Sequence, residues 1–245
     1  MRDIYKYWSE DIVLDKYGKI RRWEERFKSE RYFFEKVFKP GMSVLDVGCA
    51  TGELYHGLKE KFSQVNYTGI DVADNLIKKA RQWTDQAEFI VGNILAGNVL
   101  GNKEFDITTA TGVFQHEPKS RELLDKMLEH TKDGGYAIFD LKVFHTHETL
   151  NDINLSYCDH PDPLYFIVFN FSDLMDWLNS LENVSEIEFF GYHSGVNKSV
   201  RLPQSVKEEV CSSHILLKKG KHKIGGKPKV NANLPEEFIN KYFKK

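Results

Sequence analysis

Apolar positions along the chain follow two rhythms. Ile20, Trp23, Phe27, Phe34 and Phe38 recur at helical spacing, so residues 19–38 read as one amphipathic helix, stopped by Pro40-Gly41. Beyond it, short apolar runs alternate with helical stripes. The pattern predicts strands at Ser43–Val47, Tyr67–Ile70, Glu88–Val91 and Phe105–Ala110, with helices marked by Leu54, Leu58 and Phe62 and by Leu76, Ile77 and Ala80. Pro118 opens a further helix with Leu123, Leu124, Met127 and Leu128 on one face, and Gly134-Gly135 punctuates before a strand at Tyr136–Leu141. Strands alternating with helices in this way form βαβ units around a parallel sheet, with the functional loops at the carboxyl ends of the strands.

After Leu141 the rhythm breaks. Residues 142–171 are rich in His, Asp, Pro and aromatics and are too long for a routine connection, which marks a lid or substrate segment. Within it Leu164–Phe169, the longest apolar run, is strand-sized. Ser172 is the expected cap of a helix carrying Leu174, Met175, Leu178 and Leu181. Two more strands are expected at Glu186–Tyr192 and Cys211–Lys218, then a lysine-rich tail and a short surface helix from Pro235. The expected division is a helical N-terminal cap (1–39), a central domain (40–218) and a basic tail with a short helix (219–245).

Composition narrows the class. The 245 residues carry a net charge of −2 and 29% charged residues of mixed sign, which fits one ordinary domain with additions and excludes simple disorder. No apolar run approaches the roughly 20 residues of a membrane span, and the N-terminus lacks the apolar region of a secretory signal. Cys49, Cys158 and Cys211 are odd in number and widely spaced, as in a reducing, cytoplasmic setting. Near-neutral charge argues against a nucleic-acid partner.

The informative stretch is Val44-Leu45-Asp46-Val47-Gly48-Cys49-Ala50-Thr51-Gly52-Glu53: strand, small-residue turn, helix. Small residues let a ligand approach the backbone, and the helix start offers free N–H groups. The dinucleotide fingerprint fails at Ala50 and Glu53, and no Gly-Lys-Ser/Thr follows to make a P-loop. Glu53 at the helix start would repel a pyrophosphate, so Asp46 and Glu53 suit a positively charged ligand without phosphate. Asp46 also reads as a carboxylate bracing the turn through backbone N–H groups.

These residues resemble the class I S-adenosylmethionine-dependent methyltransferases. Leu45–Gly52 looks like that family's first motif, with alanine where glycine usually stands at 50. Thr68-Gly69-Ile70-Asp71-Val72 places an acid at the end of the second strand, where the family binds the ribose hydroxyls. Asn93 and Ile94 close the third strand, Thr111-Gly112-Val113-Phe114-Gln115-His116 follows the fourth, and Lys132-Asp133-Gly134-Gly135 precedes the fifth. The resemblance covers residues 40–142. It implies a Rossmann-like, doubly wound α/β fold, with a mostly parallel seven-stranded sheet, an antiparallel last strand and helices on both faces. It further implies S-adenosyl-L-methionine as cofactor, S-adenosyl-L-homocysteine as product, and contacts from Asp46, Gly48, Cys49, Ala50, Gly52, Asp71, Val72, Asn93, Ile94, Thr111 and Val113. His116 and His145 are the expected catalytic groups, and Tyr7, Trp8, His147 and His193 the expected substrate contacts.

The acceptor expected is a hydroxyl or amine of a small polar metabolite, such as a sugar, nucleotide-sugar or phosphorylated amine. His145, His147, Cys158, His160 and Asp162 match no compact zinc spacing, so no metal is expected. Neither a membrane nor a nucleic acid is an expected partner. Two alternatives stay open: a cofactor-binding protein without turnover, and a nucleic-acid or protein methyltransferase.

Overall fold

A computed structural model describes residues 5–10, 13, 17, 19–152, 165–193, 202–222 and 226–244. It resolves into two compact units, residues 1–111 with 121–137 and residues 112–120 with 138–245. Among the described residues no helix is long and apolar enough to cross a membrane.

The first unit holds β1 (Ser43–Val47), β2 (Asn66–Asp71), β3 (Glu88–Val91), β4 (Phe105–Ala110) and the start of β5 (Thr131–Phe144). β1 runs parallel to both β2 and β4, and β3 parallel to β2, in the order β4-β1-β2-β3. Val44, Leu45 and Ile107 are fully buried, as expected of central strands covered on both faces. The helices are α1 (Lys28–Val37), α2 (Glu53–Lys61), α3 (Asp74–Trp83) and α4 (Ser120–Glu129). Asp106 ties the amino end of the sheet together. Its Oδ2 accepts from Ser43 N–H at 2.8 Å and from Lys132 Nζ at 3.0 Å. The register pairs Asp46 with Gly69 and Val47 with Ile70, so β1 and β2 end level with one another. That alignment sets the turn after β1 beside Asp71.

The helix expected over 19–38 is broken in two. Trp23–Glu25 forms one 3₁₀ turn, Arg26 is extended, and α1 begins only at Lys28. Contacts from α2 win over helical propensity here. Glu60 accepts the Trp23 N–H at 2.7 Å and the Arg22 guanidinium, while Gly57 leaves room for Trp23 and Arg26 to lie close. Ile20 and Phe27, counted in the apolar stripe, are exposed.

The second unit takes the rest of β5 with β6 (Leu150–Asp152), β7 (Phe166–Asn170), β8 (Val184–His193), β9 (Cys211–Lys219) and β10 (Lys229–Asn233). β7 pairs parallel with β5 and antiparallel with β6. β8 pairs antiparallel with β9 and parallel with β10. Residues 142–171 are thus partly sheet; 153–164, with Cys158, His160 and Asp162, lie outside the described residues. Helix α5 (Phe171–Asn179) is capped by Asn170, whose side chain accepts from the Ser172 and Asp173 N–H groups, not by Ser172. The lysine-rich tail contributes β10. The terminal helix α6 (Glu236–Tyr242) is anchored: Phe238 is fully buried, its ring 5.3 Å from Phe171 and 5.2 Å from His145.

Candidate functional site

In the first unit the site grows from the turn after β1. Gly48 and Cys49 both donate to the Ile70 carbonyl, at 2.8 and 3.2 Å, which folds the turn back over β2. Gly48 (φ 72°) and Gly52 (φ 78°) take the left-handed conformation that glycine accepts readily. Ala50 takes it too (φ 48°), at a cost of about 1–2 kcal/mol for a residue with a Cβ. A Cβ at Gly69 would lie 2.6 Å from the Cys49 sulfur, so glycine in β2 is what lets the turn seat.

Asp71 closes the arrangement. Its Oδ2 accepts the Ala50 N–H at 2.8 Å, and its Oδ1 accepts the Ala73 N–H at 2.9 Å. An ionised carboxylate offers about four lone-pair sites, so capacity for further donors remains. Burial raises the Asp71 pKa, and the backbone donors at Ala73, Ala50 and Val72 pull it back. Gly92 donates to the Asp71 carbonyl at 2.8 Å, which brings the end of β3 alongside. There Ile94 is buried, and the Asn93 amide oxygen accepts the Leu95 N–H at 2.9 Å.

Asp46 lies buried at the end of β1. Its Oδ2 accepts from the Tyr67 hydroxyl at 2.5 Å, and burial pushes its pKa up to about 7. Glu53 is not an open negative charge either: Arg21 Nε donates to it at 2.7 Å and Arg26 Nη1 lies 3.9 Å away. Behind the turn Arg26 grips Glu30 through Nε and Nη2, at 3.0 and 2.8 Å, with both side chains almost wholly buried. Thr111 Oγ1 donates to the same Glu30 at 3.2 Å. The Arg26 Nη1 atom is buried and has no hydrogen-bond partner among the described residues. Cys49 is a buried thiol whose pKa burial pushes well up, so its part is to fill the turn. Tyr7 is buried, edge-on to Trp8 with centroids 4.9 Å apart; Trp8 meets Tyr17, whose carbonyl accepts from Thr51 at 2.8 Å. The N-terminal aromatics are therefore tied to the turn.

In the second unit Val113 precedes a 3₁₀ turn, Phe114–His116. The Gly112 N–H donates to Asp140 at 2.6 Å, and Phe114 stacks on Phe139. His116 Nδ1 lies 3.0 Å from the Tyr165 carbonyl, which can only accept, so Nδ1 carries the proton and Nε2 the lone pair of the neutral ring. His145 sits elsewhere in the pattern of contacts. Its ring packs edge-on against Phe238 and Tyr242, and its carbonyl accepts from the Tyr242 hydroxyl at 2.6 Å. His147 Nδ1 bonds the Glu148 carbonyl, and His193 Nε2 meets Glu237 at 2.5 Å. One contact set had no signal in the local sequence. Glu208 accepts the N–H groups of His145, Thr146 (3.0 Å) and His147 (2.8 Å), plus the Thr146 hydroxyl at 2.8 Å. Among the described residues no cluster of His, Cys, Asp and Glu could hold a metal ion.

A family profile described as a methyltransferase domain matches residues 38–161. Among curated proteins, the carboxy-S-adenosyl-L-methionine synthase of Campylobacter lari is 29% identical over 106 residues, 42% of this chain and 45% of that protein. The trans-aconitate 2-methyltransferase of Deinococcus radiodurans is 30% identical over 112 residues, 44% of this chain and 41% of that one. The chain thus spans under half the length of these relatives. Among solved structures, coclaurine N-methyltransferase bound to N-methylheliamine and S-adenosylhomocysteine is similar in fold, with a TM-score of 0.57 and 15% identity. That likeness covers 77% of this chain and 71% of the other.

Proposed function

Because the chain belongs to the methyltransferase-domain family, the class I enzymes that use S-adenosylmethionine, we propose that it transfers a methyl group to a hydroxyl or amine of a small polar metabolite. The observation that carries this reading is Asp71, held at the end of β2 by the backbone N–H groups of Ala50 and Ala73, with Val72 a further backbone donor, on a carboxylate that offers about four lone-pair sites. When bound, S-adenosylmethionine supplies an electrophilic methyl on a sulfonium, so the chain's work is binding and alignment.

Each residue then has a limited task. Asp71 takes the ribose hydroxyls, and Gly48, Ala50 and Gly52 bring backbone close to the ligand. Asn93 and Ile94 flank the adenine, the buried Ile94 as an apolar wall. Arg26 Nη1, which has no hydrogen-bond partner among the described residues and lies 3.9 Å from Glu53, supports the fit of a ligand that carries an anionic group on this side. Thr111 and Val113 border the reacting end, as the family resemblance implies. We assign the base to His116, because the Tyr165 carbonyl fixes the tautomer that carries its proton on Nδ1, and a neutral imidazole can accept a proton or orient a hydroxyl. His145 and His147 are assigned no chemical step. Free thiols at Cys49 and Cys211 support a cytoplasmic setting.

The test uses S-adenosyl-[methyl-³H]methionine and the full chain. Saturable cofactor binding that survives His116→Ala, with methyl transfer to a metabolite extract that does not, is the expected result. Binding without transfer to any acceptor would favour a cofactor-binding protein, and no binding would overturn the proposal.

A further inference from the structure

In the first unit, the carboxyl ends of the central strands gather charge on one face of the sheet. Residues level with one another in neighbouring parallel strands share a face, as do residues two apart along a strand. Asp46 on β1 is level with Gly69 on β2 and with Thr109 on β4. Tyr67 and Asp71 therefore share its face, and Gly69 between them adds no side chain. Asp46 is buried and accepts the Tyr67 hydroxyl at 2.5 Å. Just beyond Thr109, Thr111 donates to Glu30, which Arg26 grips. Arg26 Nη1 lies 3.9 Å from Glu53, and the more exposed Arg21 bonds Glu53 at 2.7 Å. Two polar atoms of this group, Thr109 Oγ1 and Arg26 Nη1, are buried and have no hydrogen-bond partner among the described residues. The titratable and charged groups that face Asp46 are Tyr67, Arg26, Glu30 and Asp71, together with the Cys49 thiol.

Carboxylates outnumber cations here. Glu30, Asp46, Glu53 and Asp71 lie in this group with Arg26 and the partly exposed Arg21. Like charges out of water oppose one another's ionisation, and the surplus is relieved by a proton or by a cation. Asp46 is poised between the two. Burial pushes its pKa up to about 7, with Glu30 and Asp71 adding to the rise and Tyr67 and Arg26 opposing it.

We propose that Asp46 makes this site select a charged sulfonium over a neutral thioether, S-adenosylmethionine over S-adenosylhomocysteine, by exchanging a proton for the cofactor's positive charge. The proposal rests on the methyltransferase reading above and adds the residue that tells cofactor from product. When the sulfonium binds, Asp46 gives its proton to solvent and stays as the carboxylate. Once methyl transfer has left the sulfur neutral, the carboxylate takes a proton back from solvent, and the product is held less tightly. Attraction between net charges in a buried setting acts over several ångströms, so it needs no contact between Asp46 and the sulfur. The selection is weak where Asp46 is protonated and strengthens as pH rises through its ionisation.

The test is calorimetric titration of both ligands into the full chain from about pH 6 to about pH 8, in two buffers of different ionisation enthalpy so that protons are counted. The preference for S-adenosylmethionine is expected to grow by roughly tenfold over that span, with protons released as it binds. Asp46→Asn should remove that growth and lessen the release. The ligands' own amino groups titrate alike in both proteins, so the difference belongs to Asp46. Tyr67→Phe deletes the hydrogen bond that favours the carboxylate, so it should move the rise to higher pH; it decides the matter if the first variant fails to fold. A preference constant with pH in the wild type, equal growth in Asp46→Asn, or a rise that Tyr67→Phe does not move would overturn the proposal. Neither ligand binding the wild type is a separate outcome: it removes the underlying reading and this inference with it.

Discussion

Two carboxylates in this protein do the same local job in different surroundings. Asp71 gathers the N–H groups of Ala50 and Ala73 at the end of β2. Glu208 gathers those of His145, Thr146 and His147 after β5. Both pin a turn of backbone. Asp71 is deeply buried and its pKa rises, because burial outweighs its donors. Glu208 is half-buried, and its donors, Thr146 and His147 foremost, overcome the burial that would raise it and hold it low. The comparison teaches that hydrogen bonds alone do not mark a binding site. Asp71 keeps its anchor within one strand–turn–strand unit, with acceptor capacity left over. Glu208 spends its capacity on four donors of one turn, and so reads as a strap.

The largest expected effect probes what stands behind the Asp71 region. Glu30→Gln removes the carboxylate that Arg26 grips in the interior and leaves that cation only the more distant Glu53, so it should cost about 3–5 kcal/mol in urea denaturation. A loss below about 1 kcal/mol would mean that the turn does not depend on this pair. Glu208→Gln is expected to cost about 2 kcal/mol through weakened charge-assisted bonds. Hydrogen exchange should quicken at residues 145–147, while affinity for S-adenosylhomocysteine holds; a matching fall in affinity would erase the distinction between strap and site.

The two carboxylates should also respond to pH with opposite sign. The lowered Glu208 pKa contributes stability above the unfolded value near 4.5, lost as pH falls through the folded value. The raised Asp71 pKa contributes stability that is full below 3.8 and is lost as pH climbs through the folded value. Stability of wild type, Glu208→Gln and Asp71→Asn followed through the acid range should show difference slopes of opposite sign. Equal signs would contradict the burial argument. The smallest effect is expected from Ala50→Gly. Relief of the left-handed alanine, about 1–2 kcal/mol, is offset by the added freedom of the unfolded chain, about 0.4–1 kcal/mol. The net gain should stay near 1 kcal/mol or less in thermal unfolding, with cofactor affinity retained.

What was legible in the sequence followed from locality. The run from Ser43 to Asp71 contains a strand, its turn, a helix and the acid that the turn meets, so period and motif suffice to read it. The break at Arg26 was hidden, because Glu60 and Gly57, distant in sequence, decide it. Nor does the motif around Asp46 announce the hydroxyl of Tyr67, on the paired strand β2, that donates to its Oδ2. His145 looks like a base in a chain of letters. Only the fold shows its ring against Phe238 and Tyr242 of a terminal helix that composition alone makes a surface piece.

The central claim is that the edge formed by β1 and β2 binds S-adenosylmethionine through Asp71. Calorimetric titration of S-adenosylhomocysteine into wild type and Asp71→Ala tests it most directly. The account predicts saturable binding to the wild type, weakened at least roughly tenfold, about 1.4 kcal/mol, by the substitution. Equal affinity in the two proteins would contradict it.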